Sequence, residues 1–366
     1  MTTRILLFLS VVIFLSSCGE GSTGKPAAIG APGRVHFIMP ERMRDSEIGK
    51  TLDSLFTVEL QVYPREERLF TIQFIRPEDI NRSQKIIRNI VFAFTFDDAG
   101  QDAARIKNLI EPASLDALRT DTTFVRTRSD VFARGQEIMY LYASNERELL
   151  GNIREYGHRL TRHFDERERG RLRKGILGSN ANERLAASLA DKYGFRIKIP
   201  FGYQLADQQQ DFVWLRQINP QDDRDVWVAR KKFTRAEDLT PAGVIAFRND
   251  MCRKHLFEDP EKPETHLVTE ERIADKEVVS RVVNFNGMYG IEVKGLWRTN
   301  LPSMGGPFVG YAFVDEASGY YYYAEGFIFA PSKSQRELMR EVEVILSTFS
   351  TKAAEKAPAG PGSKAG

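Results

Sequence analysis

Residues 309–329 read VGYAFVDEASGYYYYAEGFIF, two runs of apolar and aromatic residues separated by a short polar turn. Aromatic and β-branched residues favour strands, and the small residues of Ala317-Ser318-Gly319 favour a tight reversal between them. The stretch therefore predicts an antiparallel hairpin. Successive side chains of a strand point to opposite faces, so Tyr320–Tyr323 should place two rings in the core and two outward or toward a partner.

The residues that precede this hairpin extend the same sheet. Asn286-Gly287 lies between two apolar runs and is a strong signal for a two-residue turn between antiparallel strands. Met304-Gly305-Gly306-Pro307 is expected to form a loop in which the backbone bends sharply or approaches a neighbour closely. These turns predict a hairpin-rich sheet in the C-terminal half of the chain.

Helical patterns alternate with the predicted strands and divide the chain into two units. Asn145 opens a long helix with a capping pattern, and apolar residues recur from Leu149 to Phe164 at helical spacing. The predicted fold class is α+β, with two related strand-and-helix units in which helices cover mostly antiparallel sheets. The first unit is expected to span residues 34–178, and the second, with its hairpin-rich insertion, residues 179–350.

An internal duplication is one explanation for the order of these elements. The segment YLYASNEREL at 140–149 parallels FIFAPSKSQREL at 327–338, since each combines a buried strand, a turn and a helix start. Any two α+β segments can look alike at this level. Both a diverged duplication and a chance likeness therefore stay open.

Three motifs in the second unit carry a resemblance to a known family. They are Phe285-Asn286-Gly287-Met288-Tyr289, Gly295-Leu296-Trp297 and Met304-Gly305-Gly306-Pro307-Phe308. In this order they resemble an uncharacterised lipoprotein family of the Bacteroidota, domain of unknown function family 4837, and the resemblance extends over most of the chain after residue 17. It implies a lipoprotein of that bacterial group, and it implies no reaction.

The N-terminal residues predict export and lipidation. Residues 1–17 contain one basic residue and then an apolar run from Ile5 to Leu15, which is too short to span a bilayer and is typical of a signal peptide. The sequence up to Cys18 resembles the lipobox of bacterial lipoproteins. That resemblance implies cleavage before Cys18 and acylation of Cys18, for example with palmitate. An ordinary signal peptide followed by a chance cysteine is the alternative.

The segments outside the two units are expected to be flexible. Residues 18–33 are rich in Gly, Ala, Ser and Pro and predict a tether, and residues 351–366 predict a disordered tail. The residue after Cys18 is not the Asp that retains some lipoproteins in the inner membrane. The expected location is therefore the outer membrane, facing the periplasm, and display on the cell surface stays open.

Composition restricts the classes of partner. The 366 residues carry a formal net charge of +2, so the whole molecule is not an electrostatic trap for polyanions. An exported protein also meets no cytosolic nucleic acid, and we predict no nucleic-acid partner. Cys252 is the only cysteine besides Cys18 and is expected to be a buried thiol near His255 rather than a metal ligand.

Polar and aromatic residues of the hairpin-rich region are candidates for ligand binding. Aromatic rings with polar tips could form a platform for a glycan or a peptide, and strand residues packed in the core are the alternative. The candidates are Asn286, Tyr289, Trp297, Tyr311, Tyr321 and Tyr323.

An arginine-rich stretch in the predicted long helix is a second candidate surface. Its cations could contact lipid headgroups or lipopolysaccharide phosphates, whereas a solvated helical face is the alternative. The residues are Arg167, Arg169, Arg171, Arg173 and Lys174.

No sequence signature of catalysis is present. The chain lacks a G-x-S-x-G elbow, a P-loop, an H-E-x-x-H pair and a dinucleotide fingerprint, so we predict no catalytic residues, metal or cofactor. The leading hypothesis is a membrane-anchored, non-enzymatic binding or assembly module with an envelope protein or glycan as partner. The alternative is a periplasmic hydrolase acting on glycan or peptide, with a site around Asn286, Trp297 and the loop Met304–Pro307. No oligomeric state is predicted.

Overall fold

A computed structural model of the chain describes residues 24–179, 181–257, 261–262 and 264–351. The predicted signal peptide at 1–17, the lipidation site Cys18 and all of the predicted tail except Thr351 lie outside the described residues. Within them, helices pack against two main sheets, and the predicted α+β class is confirmed. None of the described helices combines the length and the apolar character needed to cross a bilayer.

The first unit contains a five-stranded mixed sheet. Its strands are β1 (Arg34–Ile38), β2 (Thr71–Ile75), β3 (Asn89–Thr95), β4 (Val125–Ser129) and β5 (Glu137–Ala143). Their spatial order is β2-β1-β3-β5-β4, in which β4 alone is antiparallel to its neighbour. This sheet differs from the mostly antiparallel arrangement that the sequence predicts.

Helical connections explain the parallel pairing, because parallel neighbours need crossovers rather than hairpins. The helices of this unit are α1 (Glu41–Asp45), α2 (Glu47–Phe56), α3 (Arg82–Lys85), α4 (Gln101–Asn108), α5 (Pro112–Thr120) and α6 (Glu146–Ile176), with a 3-10 turn at Pro77–Asp79. Side chains of α1, α2 and α6 pack on one face of the sheet, and those of α4 and α5 pack on the other.

The helix α6 is the long helix that the sequence predicts. The Asn145 side chain accepts a hydrogen bond from the backbone N–H of Glu148 (3.0 Å), and the Glu148 carboxylate accepts one from the N–H of Ser144 (3.2 Å). These bonds satisfy donors at the start of the helix that would otherwise lack partners. Its apolar row is buried against the first sheet: Leu149, Ile153, Leu160 and Phe164.

The second unit contains an eight-stranded antiparallel sheet. Its strands are β7 (Gln204–Gln208), β8 (Phe212–Asn219), β9 (Asp222–Lys232), β10 (Leu267–Thr269), β11 (Val279–Phe285), β12 (Met288–Thr299), β13 (Gly305–Asp315) and β14 (Tyr320–Phe329). The order is β10-β12-β13-β14-β9-β8-β7, and β11 also pairs with β12. A small two-stranded sheet joins β6 (Phe195–Arg196) to β15 (Ser350–Thr351).

The turns of this sheet agree with the sequence signals. Asn286 and Gly287 have φ angles of 51° and 90°, which is the left-handed conformation that a two-residue turn of type I′ requires at both positions. Gly319 closes the β13–β14 hairpin with a φ angle of 67°. Both predicted hairpins are therefore confirmed.

Helices cover both faces of the second sheet. They are α7 (Glu183–Tyr193), α8 (Pro241–His255) and α9 (Arg336–Leu346), with a 3-10 turn at Ala236–Leu239. The helices α7 and α9 pack on one face, and α8 packs on the other. Tyr321, Tyr322 and Tyr323 are consequently all buried. The expectation of two outward-facing rings is wrong, because the second face is covered by α8.

The two units do not share a topology. The strand β5 leads into α6, and β14 leads into α9, as the parallel sequence segments predict. The first sheet is nevertheless built by crossovers and the second by hairpins. The local likeness therefore does not extend to the sheets and gives no support to a duplication.

The described part of the predicted tether, residues 24–33, lies against the first unit. The N–H of Ile29 donates to the carbonyl oxygen of Ile86 (3.0 Å), and the Ile29 carbonyl accepts from the N–H of Arg88 (2.9 Å). The N–H of Ala28 donates to the Arg134 carbonyl (2.9 Å). Backbone hydrogen bonds thus fix this segment, in contrast to the free linker that its composition predicts.

Candidate ligand-binding groove

Three of the six predicted ligand-binding residues lie in the core of the second unit. Trp297, Tyr321 and Tyr323 are at most 2% exposed and pack beneath α8. The Trp297 indole N–H donates to the carbonyl oxygen of Ile328 (3.1 Å), and the Tyr323 hydroxyl donates to Glu325. The prediction that these three rings form a surface platform is wrong, because α8 covers the face on which they lie.

Tyr311 lies on the opposite face of the sheet. Its ring stacks on Phe285 with a centroid separation of 4.4 Å. Burial, together with the nearby carboxylates of Glu343 and Glu292, raises the pKa of Tyr311 well above its usual value. Tyr311 is thus a neutral packing residue and does not share a surface with the other candidates.

The remaining two candidates, Asn286 and Tyr289, lie at one end of the second sheet, where two hairpin turns come together. The Asn286 amide donates hydrogen bonds to the carbonyl oxygens of Ser347 (3.3 Å) and Phe349 (2.8 Å). Asn286 therefore fixes the β11–β12 hairpin against the chain that follows α9. Tyr289 is 61% exposed, so a ligand can reach its ring.

A cavity of about 790 Å³ opens beside Tyr289, and we call it the hairpin groove. Apolar side chains from both hairpins and from the segment after β9 line it together with two carboxylates. These residues are Phe233, Leu239, Met288, Tyr289, Val314, Asp315 and Glu316.

Local contacts fix the shape of the hairpin groove. The N–H of Phe233 donates to the carbonyl oxygen of Gly319 (3.0 Å) and joins the end of β9 to the β13–β14 turn. The buried carboxylate of Asp315 accepts from the Ser318 hydroxyl (2.7 Å), whereas Glu316 is exposed. The groove therefore offers an accessible ring and a solvent-facing carboxylate, which suit stacking and hydrogen bonding to a polar ligand.

Two residues of the hairpin groove cannot be identified from the sequence alone. Phe233 and Leu239 are distant from Tyr289 in sequence and approach it only because β9 pairs with β14, and β14 with β13. No local pattern marks them, since each is an isolated apolar residue in a polar stretch. The sequence signal for the groove is the position of Tyr289 directly after the Asn286-Gly287 turn.

The structure does not assemble the hydrolase site that the sequence offers as an alternative. Asn286 lies in the turn before Met288, the first residue of β12, and the strand from Met288 to Trp297 is about 30 Å long at about 3.4 Å per residue, so the two residues lie far apart. Gly305, Gly306 and Pro307 belong to strand β13 rather than to a loop. A methyl group at Gly306 would collide with the carbonyl oxygen of Ile328, so close strand packing accounts for this glycine.

The buried polar residues beneath α8 form a structural pair. Arg248 and Glu325 are both fully buried and make a two-point ion pair, with distances of 2.8 and 2.9 Å. Burial raises the pKa of the neighbouring Cys252 thiol to about 12, so the thiolate nucleophile is not populated at neutral pH. Across the described residues, no group of three His, Cys, Asp or Glu side chains is arranged to hold a metal ion.

Two of the predicted anion-contact residues point toward α9. Arg169 pairs with Asp165 and with Glu343, and Arg173 donates to the Ser347 hydroxyl (2.7 Å). These contacts join the first unit to the second. The guanidinium group of Arg169 is held by two carboxylates, whereas Arg173 is exposed beside its hydroxyl partner.

The other three lie on the opposite side of α6, as spacings of four and three residues require. Arg167 pairs with the buried Glu137 (2.9 Å), and Arg171 pairs with the buried Glu168 (2.8 Å). Lys174 is exposed. Four of the five cations are therefore engaged within the molecule, which favours the structural interpretation over contact with a membrane.

A buried charge cluster at the junction of the units was also not predicted. Glu343 of α9 contacts Lys294 of β12 (2.8 Å) and Arg169 of α6, and Arg340 contacts Asp165 (3.1 Å). Burial alone would raise the pKa of Glu343, but Lys294 and Arg169 outweigh it and lower the pKa to about 2. An adjoining cavity of about 320 Å³ is lined by these paired charges, so we assign the cluster to holding the units together.

Each unit matches the model of a protein family that has no assigned activity. Residues 28–176 match the model of a domain of unknown function, DUF8532, and residues 182–348 match that of a domain of unknown function, DUF4837. Both halves of the chain thus resemble domains of unknown function. The resemblance to family 4837 is confirmed for the second unit, whereas the first unit matches a different model.

Solved structures resemble parts of the chain only weakly. A protein of Bacteroides thetaiotaomicron is 9% identical, with 43% of this chain and 45% of that chain covered and a TM-score of 0.24. LpqN, involved in cell envelope biogenesis of Mycobacterium tuberculosis, is 15% identical, with 42% and 81% covered and a TM-score of 0.27. The Ran-binding protein Mog1p of Saccharomyces cerevisiae is 8% identical, with 43% and 90% covered and a TM-score of 0.28.

These scores support no conclusion about fold or function. The match spans less than half of the length of the Bacteroides protein. No curated protein matches the chain.

Proposed function

We propose that this protein is a lipid-anchored binding module of the bacterial cell envelope that holds a glycan chain in the hairpin groove. The exposed ring of Tyr289 beside a cavity of about 790 Å³ is the observation that carries the proposal. A sugar ring presents an apolar C–H face that packs on an aromatic side chain, and hydroxyl groups that donate to a carboxylate such as Glu316. The hairpin groove combines these two features.

The rigidity of the groove supports a binding role. Asn286 fixes one hairpin through two hydrogen bonds to backbone carbonyls, and the Phe233 N–H fixes the other. A preformed site loses less conformational freedom when a ligand binds, so more of the interaction energy remains as affinity. Glycoside hydrolysis uses two carboxyl groups that flank the scissile bond, whereas in the groove the buried Asp315 carboxylate is held by the Ser318 hydroxyl (2.7 Å), which favours binding over hydrolysis as the function of this site.

The resemblance of the N-terminal residues to a lipobox supports the anchor. Acylation of Cys18 in an exported chain would hold the two units at the outer membrane, in the host group that the second unit's family resemblance implies. Metabolic labelling with an alkyne fatty acid should mark the wild type and leave Cys18→Ala unmarked. Equal labelling of the two forms would rule out Cys18 as the lipidation site.

Cosedimentation with insoluble envelope glycan, purified from the host bacterium, tests the groove. Replacement of Tyr289 by Ala should weaken binding at least about tenfold, as expected for loss of a central aromatic contact. Phe201→Ala is a matched control, since Phe201 is 79% exposed and does not line the groove. Equal loss in both variants, or loss in neither, would contradict the assignment.

A further inference from the structure

The strand β11 (Val279–Phe285) leaves one of its two edges unpaired. Among the described residues, β11 pairs with β12 alone, through seven aligned positions without a register shift. The backbone of the described chain makes no hydrogen bond to its second edge. None of the residues of β11 lines the hairpin groove, and the proposed function makes no use of this edge.

The geometry of the neighbouring turn determines which backbone groups point outward. In a two-residue turn, the residues on either side direct backbone groups at each other, and here these are Phe285 and Met288. The direction then alternates along an antiparallel strand. The N–H and C=O groups of Ser280, Val282 and Asn284 therefore point away from β12 and toward the open edge.

The open edge of β11 is apolar and carries little protection against pairing. Val282 is 63% exposed and Val279 is 41% exposed. Arg281 is the one charged residue of the strand, and its guanidinium group pairs with Glu292 of β12 (2.6 Å). Natural proteins usually block open edges with charges, bulges or very short strands. Two other edge strands of the same sheet are blocked in this way, because β10 is three residues long and β7 has a register shift after Leu205.

The register of an antiparallel second copy follows from the centre of the strand. Val282 is the midpoint of β11, so it lies opposite Val282 of a second copy when the two strands align over their full length. Val282 is also one of the residues whose backbone groups point outward. The alignment therefore brings the free N–H and C=O groups of both copies together, in roughly six hydrogen bonds.

The side chains of β11 are complementary to one another in this register. Ser280 of one copy lies opposite Asn284 of the other. The Asn284 side-chain oxygen accepts from the N–H of Gly287 (2.7 Å), which leaves its NH₂ group to donate to the serine hydroxyl. Arg281 lies opposite Val283, so no like charges oppose each other across the pair.

We infer that the open edge of β11 pairs with the same strand of a second copy of this chain, antiparallel and centred on Val282. The two eight-stranded sheets would then form one continuous sheet. A two-fold contact of this kind uses the same surface on both chains and closes on itself, so it gives a dimer and not a fibre. The inference does not depend on the proposed function, and Tyr289→Ala should form the dimer as the wild type does.

Cysteine crosslinking of the full-length protein in detergent micelles tests the centre of the contact. Opposed Cα atoms of a hydrogen-bonded pair lie about 5.5 Å apart, within the range that a disulfide spans. Val282→Cys should therefore give a covalent dimer on mild oxidation. Ile218→Cys is the matched control and should stay monomeric, since Ile218 is 67% exposed but belongs to the interior strand β8. The native Cys252 is buried and should not react.

A mixture of two further variants, Ser280→Cys and Asn284→Cys, tests the register. We expect a disulfide-linked dimer from the mixture and none from either variant alone. Position 280 of one copy is displaced by four residues, or roughly 14 Å, from position 280 of the other, which is too far for a disulfide.

Sedimentation over a concentration series measures the non-covalent dimer. Val282→Lys places like charges on the two-fold axis and should raise the dissociation constant at least about tenfold, whereas Ile218→Lys should leave it unchanged. The crosslinking results decide the question without Val282→Lys if circular dichroism shows that this variant is unfolded.

Three results would overturn the inference: a wild type that stays monomeric over the whole series, equal crosslinking of Val282→Cys and Ile218→Cys, or a mixture that crosslinks no better than its separate components. A Val282→Cys adduct with a different protein in native envelopes, in place of the homodimer, would also overturn it.

Discussion

Four aromatic residues on one face of strands β12 and β14 have opposite surroundings. Trp297, Tyr321 and Tyr323 lie beneath α8 and are almost fully buried, whereas Tyr289 lies on the same face at the hairpin end and is 61% exposed. All four side chains are aromatic rings with a polar group, so residue type does not distinguish them. The difference is that α8 covers only part of the face. Coverage by a distant helix, rather than composition, decides which aromatic residues can meet a ligand.

The largest effect on the free energy of unfolding is expected at the ion pair that is buried beneath α8. Glu325→Gln leaves the buried guanidinium of Arg248 without a counter-charge, and loss of one partner of a buried pair typically costs about 3–5 kcal/mol. Urea unfolding of the purified protein measures this change. Arg253→Ala on the same helix is the control, because its pair with Asp250 is exposed and should contribute less than about 1 kcal/mol. Similar losses of unfolding free energy in Glu325→Gln and Arg253→Ala would contradict the contrast between a buried and an exposed ion pair.

The second-largest effect on the free energy of unfolding is expected at the junction between the units. Glu343 has a pKa of about 2 in the folded protein against an ordinary value of 4.5, a difference equivalent to about 3 kcal/mol of stability above pH 4.5. This contribution should be lost as the pH falls from about 4.5 toward 2, because the depressed carboxylate becomes protonated. Glu343→Gln should therefore destabilise the protein at pH 7 and flatten its unfolding profile in that acidic window.

Glu66→Gln provides the comparison for the junction. Glu66 pairs with Arg68 (2.8 Å), and both side chains are more than half exposed. The free energy of unfolding should change by less than about 1 kcal/mol. If Glu343→Gln is no more destabilising than Glu66→Gln at pH 7, the charge cluster does not hold the units together.

A smaller effect is expected from Trp297→Phe. The substitution removes the indole donor and leaves the buried carbonyl of Ile328 without that hydrogen bond, which should cost about 1–3 kcal/mol. Denaturant unfolding gives the value. Glycan binding should persist, since the indole does not line the hairpin groove. A selective loss of binding with unchanged stability would place Trp297 in the site after all.

Patterns among neighbouring residues predict the helices, strands and turns. The pairing and packing of distant segments determine where the candidate site lies. The turn at Asn286-Gly287 and the cap at Asn145 are set by residues that are adjacent in sequence, and both were predicted. The parallel pairing of β1 with β3 and the coverage of Tyr321 by α8 join distant segments, and neither was predicted. Tyr289 was singled out from the sequence, but its separation from Trp297 required the register of β12.

The smallest change in stability is expected at Tyr289 itself. Tyr289→Ala removes an exposed ring and should alter the free energy of unfolding by no more than about 0.5 kcal/mol. Denaturant unfolding beside Phe201→Ala checks this expectation. A loss comparable to that of Trp297→Phe would mean that Tyr289 is a packing residue and not a ligand contact.

Site-specific photocrosslinking in intact envelopes tests the binding groove most directly. A benzoylphenylalanine placed at 289 keeps an aromatic ring in the groove, and the same residue at 201 is the matched control. We predict a crosslinked product at 289 that contains periodate-oxidisable sugar, and none at 201. A product of the same composition at both positions, or a sugar-free product at 289, would contradict the assignment of the hairpin groove to a glycan.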